Sequence, residues 1–186
     1  KIENKAEELM SNGNTTHISY YFRDFNNGVW FGINEKELFS PASLFKTPVM
    51  MSYLKQGEEN PELLSRKIVF TEADKNYEKQ NIKPVTEMEI GNRYTNEDVI
   101  NRMIIYSDNS ALRILLREGN SFAYRVFYDL DVGIQSDQEG LENFMSVYEY
   151  SRFFRILYNG SYLDFENSNK ALEILTKVDF KDGLVA

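Results

Sequence analysis

The sequence contains no cysteine and a single histidine, His17. Without cysteine the chain has no disulfide, no thiolate zinc site, no iron–sulfur cluster and no thiol nucleophile. One histidine excludes metal sites built from several histidines, and it leaves little room for a Ser-His-Asp triad. We therefore predict no metal and no cofactor, so that any nucleophilic chemistry must use other side chains.

Basic residues and long apolar runs are also scarce. The 186 residues include 21 Lys and Arg against 29 Asp and Glu, which gives a net charge of −8. Nucleic-acid binding depends on clustered basic side chains, so we expect no nucleic-acid partner. No apolar run approaches the roughly 18–20 residues of a membrane span, so none is predicted. A processed secreted protein would show the same features, and they leave the cellular location open.

The rest of the composition is typical of a folded chain. Hydrophobic residues make up 42% of the sequence and aromatic residues 14%, which is enough apolar surface to offset the entropy lost on ordering. At roughly 100–200 residues per domain, the length predicts one domain, or one domain plus a fragment.

A β-hairpin is predicted near the N-terminus, after a helix that ends around residues 4–11. Two β-rich runs, 17–22 and 29–33, flank Asn26-Asn27-Gly28, and Asn-Gly is typical of a primed hairpin turn. This is the one sheet that the sequence predicts convincingly. Its aromatic residues are interpreted as core and sheet-packing side chains: Tyr20, Tyr21, Phe22, Trp30 and Phe31.

Helical patterns dominate from Ser43 onward, and residues 71–94 are interpreted as a long ordered loop. Thr95 and Asp98 resemble a capping box at the start of a helix. The other predicted helices cover residues 43–56, 109–118, 121–129, 146–158 and 168–177. We predict a sheet part at 1–47, an all-helical domain at 48–177 and a return toward the sheet at 178–186. The predicted fold class is α/β plus all-α.

The first chemical motif is Ser43-Leu44-Phe45-Lys46, an S-x-x-K sequence at the start of a predicted helix. One helical turn places Ser43 and Lys46 on the same face. A buried lysine has a lowered pKa, so Lys46 could accept the proton of the serine hydroxyl and make Ser43 a nucleophile. Average composition predicts roughly one chance S-x-x-K in a chain of this length, and a capping serine followed by a surface lysine is the alternative.

The second motif is Ser107-Asp108-Asn109, between two predicted helices. A given tripeptide of this kind is expected only about 0.03 times per chain, so this motif is more specific. An ordinary helix junction is the alternative, because Ser, Asp and Asn are all favoured there.

Together the motifs resemble those of the penicillin-recognising serine hydrolases, the class A β-lactamases and penicillin-binding proteins. Their signature is S-x-x-K, then S-D-N, then K-T-G. The resemblance is closest to class A and runs from about residue 5 to the end. It implies a β-lactamase-like, transpeptidase-like fold and a secreted, periplasmic or cell-surface location.

The resemblance also implies roles for individual residues. Ser43 would be the acylated nucleophile, Lys46 its proton acceptor, and Ser107 the group that passes a proton to the leaving amine. Asn109 would bind the amide carbonyl of the substrate side chain, and Asp108 would mainly fix the turn. The Ser43 backbone N–H would supply half of an oxyanion hole. Tyr77, in the predicted loop, is a candidate substrate gate, with a plain loop aromatic as the alternative.

One departure from the family is that the sequence contains no K-[ST]-G triplet. Lys181-Asp182-Gly183 matches only superficially, and we interpret it as a turn. The sequence therefore resembles the first two-thirds of a family member. Truncation, cleavage, a disordered tail, or a C-terminal fragment or second chain that completes the sheet would each explain this.

A second departure lies in the segment that resembles the omega loop. Class A enzymes carry E-x-x-L-N there, and its glutamate activates the deacylating water. This chain has Glu139-Gly140-Leu141-Glu142-Asn143 in a loop that is shorter. Glu139 or Glu142 could serve as the base, and solvated acidic loop residues are the alternative. We therefore expect slow deacylation.

The predicted function is formation of an acyl-enzyme at Ser43 with a β-lactam or a related peptidoglycan-like peptide. The first alternative is a non-catalytic relative that binds a cell-wall fragment or a protein partner, which the missing third motif favours. An esterase or peptidase on the same scaffold is a further alternative, because fold alone does not fix the substrate.

Overall fold

The structure is a computed structural model, and it describes residues 2–13, 15–76, 83–133 and 143–179. The chain divides into two compact units, the first formed by residues 1–41 and 132–155 and the second by residues 42–131 and 156–186. The helices are α1 (Ile2–Ser11), α2 (Lys46–Glu59), α3 (Glu62–Ser65), α4 (Asn96–Ile105), α5 (Asn109–Glu118), α6 (Arg125–Asp129), α7 (Val147–Tyr158) and α8 (Phe165–Thr176). The strands are β1 (Tyr20–Arg23), β2 (Trp30–Ile33), β3 (Lys67–Val69) and β4 (Arg93–Thr95).

The predicted hairpin is present in the first unit, where β1 pairs antiparallel with β2 and Tyr20 lies opposite Ile33. Gly28 has a φ of +77°, which glycine adopts without a steric penalty. Asn27 does not share this left-handed conformation, and a type I′ turn requires it at both central residues. The connection is therefore not the primed turn that the Asn-Gly pair predicts.

The hairpin aromatics are predicted to be core and sheet-packing residues, but two of them lie outside the core, although the Trp30 ring packs against Tyr21 with centroids 6.0 Å apart. Phe22 is 50% exposed and Trp30 is 56% exposed. Phe22 lies opposite Phe31, so Trp30, one position away, points to the other face of the ribbon. A two-stranded ribbon has two faces, and here each face keeps one large aromatic half in solvent.

Ser146 caps the start of α7, where the sequence predicts a helix that begins at residue 146. Ser146 Oγ accepts a hydrogen bond from the backbone N–H of Glu149 at 3.1 Å. The Glu149 carboxylate accepts in return from the backbone N–H of Ser146 at 2.8 Å. In the first unit, Tyr148 at the start of α7 meets Tyr21 of β1 edge-on, with ring centroids 5.4 Å apart.

Helix α2 is the centre of the second unit, and its residues 46–54 are all buried. A helix that is covered on every side must give each polar group a partner. Ser52 Oγ accepts from the backbone N–H of Val126 at 3.1 Å, and Tyr53 donates its hydroxyl to the Leu115 carbonyl at 2.6 Å. These contacts fix the helix that carries Lys46.

The second unit contains a small sheet that the sequence analysis missed. Strands β3 and β4 pair antiparallel, with Ile68 opposite Tyr94, and Gly91 N–H donates to the Phe70 carbonyl at 2.8 Å. The ends of the predicted 71–94 loop are therefore held together by strands. Strands of three residues are too short to show an alternating pattern, which explains the missed prediction.

Helix starts in the second unit follow local capping chemistry. The predicted capping box at α4 is confirmed, with Thr95 Oγ1 accepting from Asp98 N at 3.0 Å and Asp98 Oδ2 accepting from Thr95 N at 3.0 Å. Helix α5 ends at Glu118, the predicted end, with Gly119 as its C-cap. In the described ranges, no helix is both long and apolar enough to cross a bilayer.

Candidate active site

Ser43 lies in a short 3-10 helix, Ala42–Phe45, which leads directly into α2. The predicted helix at 43–56 thus begins with a tighter turn than expected. A 3-10 helix has three residues per turn, which brings side chains at positions i and i+3 close together. Here Lys46 Nζ, at the first position of α2, lies 3.2 Å from Ser43 Oγ. Ser43 is exposed, whereas Lys46 is only 3% exposed. The turn therefore presents a hydroxyl to solvent above a buried amine.

The turn between α4 and α5 holds the second motif. Ser107 has a φ of +52°, a left-handed conformation that is rare for residues other than glycine. Asp108 follows as the N-cap of α5, and its Oδ1 accepts from Ser110 N at 2.8 Å and Ala111 N at 3.1 Å. Asn109 is the first residue of the helix. The cap and the left-handed serine together aim the Ser107 and Asn109 side chains toward α2.

Four oxygen atoms surround the Lys46 amine. Its Nζ lies within donor distance of Ser107 O at 2.5 Å, Asn109 Oδ1 at 2.8 Å, Ser107 Oγ at 2.9 Å and Ser43 Oγ at 3.2 Å. Ser107 Oγ also donates to Ser43 Oγ at 2.9 Å. The structure thus brings together four residues that the two sequence motifs singled out.

The environment of Lys46 raises the fraction of its amine that is neutral. Burial lowers the pKa of Lys46 from 10.5 to about 8, while the negative charge of Asp108 acts in the opposite direction. With that pKa, roughly one amine in ten is unprotonated at pH 7. A neutral amine within hydrogen-bond distance of a serine hydroxyl can accept its proton.

Arg102, near the end of α4, is a member of this cluster that the sequence analysis missed. Its Nε lies 3.5 Å from Oδ2 of Asp108, which is fully buried. An arginine on the polar side of an amphipathic helix normally indicates a solvated surface, so nothing in the sequence pointed to this contact.

Three predicted site residues, Tyr77, Glu139 and Glu142, lie outside the described residues. Of the loop that contains Tyr77, the structure describes the beginning, where Asn76 N–H donates to the buried Ser110 Oγ at 2.8 Å. Among the residues that the structure describes, no three His, Asp or Glu side chains are grouped to hold a metal ion.

The whole chain, residues 1–186, matches the family model described as the Beta-lactamase enzyme family. The chain belongs to the β-lactamase family. A curated β-lactamase from Streptomyces cellulosae is 39% identical over 82 residues, a match that covers 44% of this chain and 26% of the relative. The matched region is thus about a quarter of that relative's length. The resemblance inferred from the motifs is confirmed.

Solved β-lactamases share the fold. A β-lactamase from Streptosporangium roseum matches with a TM-score of 0.81 at 20% identity, over 96% of this chain and 70% of the other. An ancestral class A β-lactamase matches with a TM-score of 0.81 at 18% identity, over 98% and 73%. A PBP-A mutant, solved as an acyl-enzyme complex with penicillin G, gives a TM-score of 0.76 at 15% identity, over 96% and 70%.

These comparisons confirm the β-lactamase-like, transpeptidase-like fold. They also agree with the prediction that the sequence corresponds to about two-thirds of a family member, because the matches cover about 70% of the solved chains.

Proposed function

We propose that this chain is a serine acyltransferase or hydrolase that forms an acyl-enzyme with β-lactams or related cell-wall peptides. The observation that supports this is the hydrogen-bonded triangle of Ser43, Lys46 and Ser107 around a buried amine of lowered pKa. One relative in the fold comparison, a PBP-A mutant, was solved as an acyl-enzyme with a compound of this kind, penicillin G.

Acylation begins at Ser43. Its Oγ attacks the carbonyl carbon of the lactam, and its proton moves to the neutral Nζ of Lys46, 3.2 Å away. The carbonyl oxygen becomes an oxyanion, and the backbone N–H of Ser43 is one donor to it. A preorganised donor of this kind commonly contributes about 3 kcal/mol to the transition state.

Collapse of this intermediate breaks the carbon–nitrogen bond of the lactam. The leaving nitrogen needs a proton, and Ser107 supplies it from its hydroxyl. Lys46 Nζ, 2.9 Å from Ser107 Oγ, then returns a proton to Ser107. The products are an ester at Ser43 and an opened ring that retains every substrate atom.

The remaining residues bind and position. Asn109 Nδ2 is the donor for the amide carbonyl of the substrate side chain, because its Oδ1 is oriented by Lys46. Asp108 fixes the turn through its cap of α5. Tyr77 is assigned as a gate of the substrate cleft on the basis of the sequence alone.

Deacylation is proposed to be slow. It requires a base that activates water, and the candidates are Glu139 and Glu142 in a segment that has Glu where the E-x-x-L-N motif has Leu. With a poorly matched base, the ester at Ser43 persists, as it does in penicillin-binding proteins.

The decisive experiment is intact-mass spectrometry after incubation with penicillin G. The protein should gain the full mass of the β-lactam, and peptide mapping should locate the adduct at Ser43. S43A should gain nothing, whereas S40A, which removes an exposed hydroxyl three residues earlier, should still be labelled. Labelling of S43A would remove the nucleophile assignment. The decay of the adduct over time measures deacylation.

A non-catalytic binding role is the second candidate, and the absence of a K-[ST]-G triplet from the 186 residues favours it. In that case the protein would bind a cell-wall fragment or a protein partner, and no β-lactam adduct would form. A C-terminal fragment or second chain that carries the third motif would complete the site. Adding back such a fragment and recovering labelling would support the enzyme.

A further inference from the structure

We propose that Arg102 is a positioning residue of the site. Its guanidinium is the counter-ion of the Asp108 carboxylate, so Lys46 does not have to supply the positive charge that this carboxylate needs. This inference rests on the proposed function, in which Lys46 acts as a base. It adds a residue that neither sequence motif contains.

The Asp108 carboxylate is completely buried and its two oxygens have different partners. Oδ1 caps α5, as described above, whereas Oδ2 lies 3.5 Å from Arg102 Nε. This Nε is buried and has no hydrogen-bond acceptor. A buried carboxylate that faces a guanidinium at this distance is held by charge.

Arg102 is itself fixed in place by its surroundings. Its NH2 group donates to the Thr86 carbonyl, and its guanidinium carbon lies 5.8 Å from the ring centroid of Tyr106. Its own backbone carbonyl accepts from Tyr106 N at 3.2 Å and from Asp108 N at 3.4 Å. Side chain and backbone of Arg102 therefore both hold the turn that leads into Ser107 and Asp108.

The charges of this cluster explain why the pairing matters to Lys46. Among the described residues, Asp108 is the charged group that raises the pKa of Lys46 against the effect of burial. Arg102 and Asp108 together carry no net charge, so the pair attracts a proton to the Lys46 amine less strongly than the carboxylate alone would. Without the guanidinium, Arg102 would no longer offset the charge of the buried carboxylate, and the ammonium form of Lys46 would be favoured. Arg102 therefore helps to keep the base available.

The test compares five variants with the unchanged protein, and one of them, D108N, removes only the charge of the carboxylate. R102Q removes the charge and keeps a donor for the Thr86 carbonyl, whereas R102K keeps the charge. R113Q is the matched control, because Arg113 is exposed on the neighbouring helix α5 and its loss changes the net charge equally. R102Q/D108N removes both members of the pair and leaves an oxygen that can cap α5.

Two measurements are made on each protein. The first is the titration of Lys46 without any ligand, followed by NMR of protein labelled with [ε-13C]lysine, with the signal assigned by its loss in K46M. The second is the pH dependence of acylation by a fluorescent penicillin. We expect R102Q to move both midpoints upward by about one pH unit. Because less of the Lys46 amine is then neutral, the acylation rate at pH 7 should be about tenfold lower. R102K, R113Q and R102Q/D108N should keep midpoints at or below that of the unchanged protein.

The outcomes are distinct. An unchanged Lys46 midpoint in R102Q, or an equal shift in R113Q, would overturn the inference. A lower acylation rate at every pH with no movement of the midpoint would also overturn it, because a merely structural role gives that result. If R102Q does not fold, the Lys46 titration of R102Q/D108N is compared with that of D108N. Arg102 acts through Asp108 only if these two variants have the same Lys46 midpoint. If no penicillin adduct forms while R102Q still shifts Lys46, the proposed function fails and the role of Arg102 stands.

Discussion

Ser107 donates a hydrogen bond to Ser43 across 2.9 Å, although the two residues are 64 positions apart in the chain. Left-handed backbone accompanies both ends of this contact, at Ala42 with a φ of +45° and at Ser107 with a φ of +52°. Conformations of this kind cost about 1–3 kcal/mol and persist only where the surroundings enforce them. The buried helix α2 and the Asp108 cap provide that enforcement here.

The rate of acylation should increase with pH through a midpoint near 8. Above that pH the Lys46 amine is neutral and can accept the Ser43 proton, whereas below it most of the amine is protonated. The measurement is the second-order rate of labelling by a fluorescent penicillin between pH 6 and 10. K46M should be labelled far more slowly and without this midpoint. A rate that is flat from pH 6 to 9 in the unchanged protein would contradict the assignment of Lys46 as the base.

The free energy of unfolding should also depend on pH through Lys46. Its pKa is about 8 in the folded protein and near 10.5 in the unfolded chain, so between these values the unfolded chain binds more protons. Stability therefore rises with pH, and the cost of burying the amine is largest below pH 8.

Urea unfolding of the protein and of K46M at pH 7 and 9.5 measures this effect. The stability of the unchanged protein relative to K46M should improve by about 2 kcal/mol between the two pH values. A decrease in stability relative to K46M between pH 7 and 9.5 would mean that Lys46 gains a stronger anionic partner on folding than the structure shows.

Replacing Ser107 by glycine should give a more stable protein than replacing it by alanine. Both changes remove the hydroxyl and should reduce acylation equally. Alanine must still adopt a φ of +52°, which costs L-residues roughly 1–2 kcal/mol, whereas glycine adopts it freely. Thermal or urea unfolding should therefore place S107G about 1 kcal/mol above S107A. Equal stability would show that the turn relaxes away from the left-handed conformation.

Gly119→Ala should destabilise the second unit. An added Cβ would lie 2.7 Å from the Tyr53 hydroxyl and 2.9 Å from the Leu115 carbonyl oxygen, the two groups that form a buried hydrogen bond. Overpacking of this kind typically costs about 1–3 kcal/mol. Gly133→Ala is the control, because its Cβ would meet no atom of the described residues within 4 Å. Similar unfolding midpoints for the two variants would show that Tyr53 can move aside without loss.

Elements with local capping signals could be predicted from the sequence. The Thr95 capping box, the Asp108 cap and the glycine after α5 mark helix ends within a few residues, and α5 has the predicted bounds. The pairing of β3 with β4 could not be predicted in this way. Its three-residue strands are joined by a long polar segment, and the pairing depends on contacts that no local pattern encodes.

The residues of the candidate site also fall into two groups: those that a local motif predicts and those that depend on tertiary contacts. Two short motifs contain Ser43, Lys46, Ser107 and Asn109, so the sequence alone predicts these four as site residues. Arg102 belongs to no motif, and its contact with Asp108 depends on how α4 ends and the chain turns. Left-handed Ala42 was also missed, because its sequence position carries no glycine or asparagine signal.

The crowding of oxygens around Lys46 has a consequence for motion. An ammonium has three hydrogens, yet four oxygens lie within 3.2 Å of the nitrogen. Lys46 can therefore exchange hydrogen-bond acceptors by rotation of its hydrogens alone. The carbon, nitrogen and oxygen framework can stay still while a charge appears and disappears within it. In liquid water the solvent dipoles would have to turn at that moment, whereas here the dipoles were already oriented when the polypeptide folded.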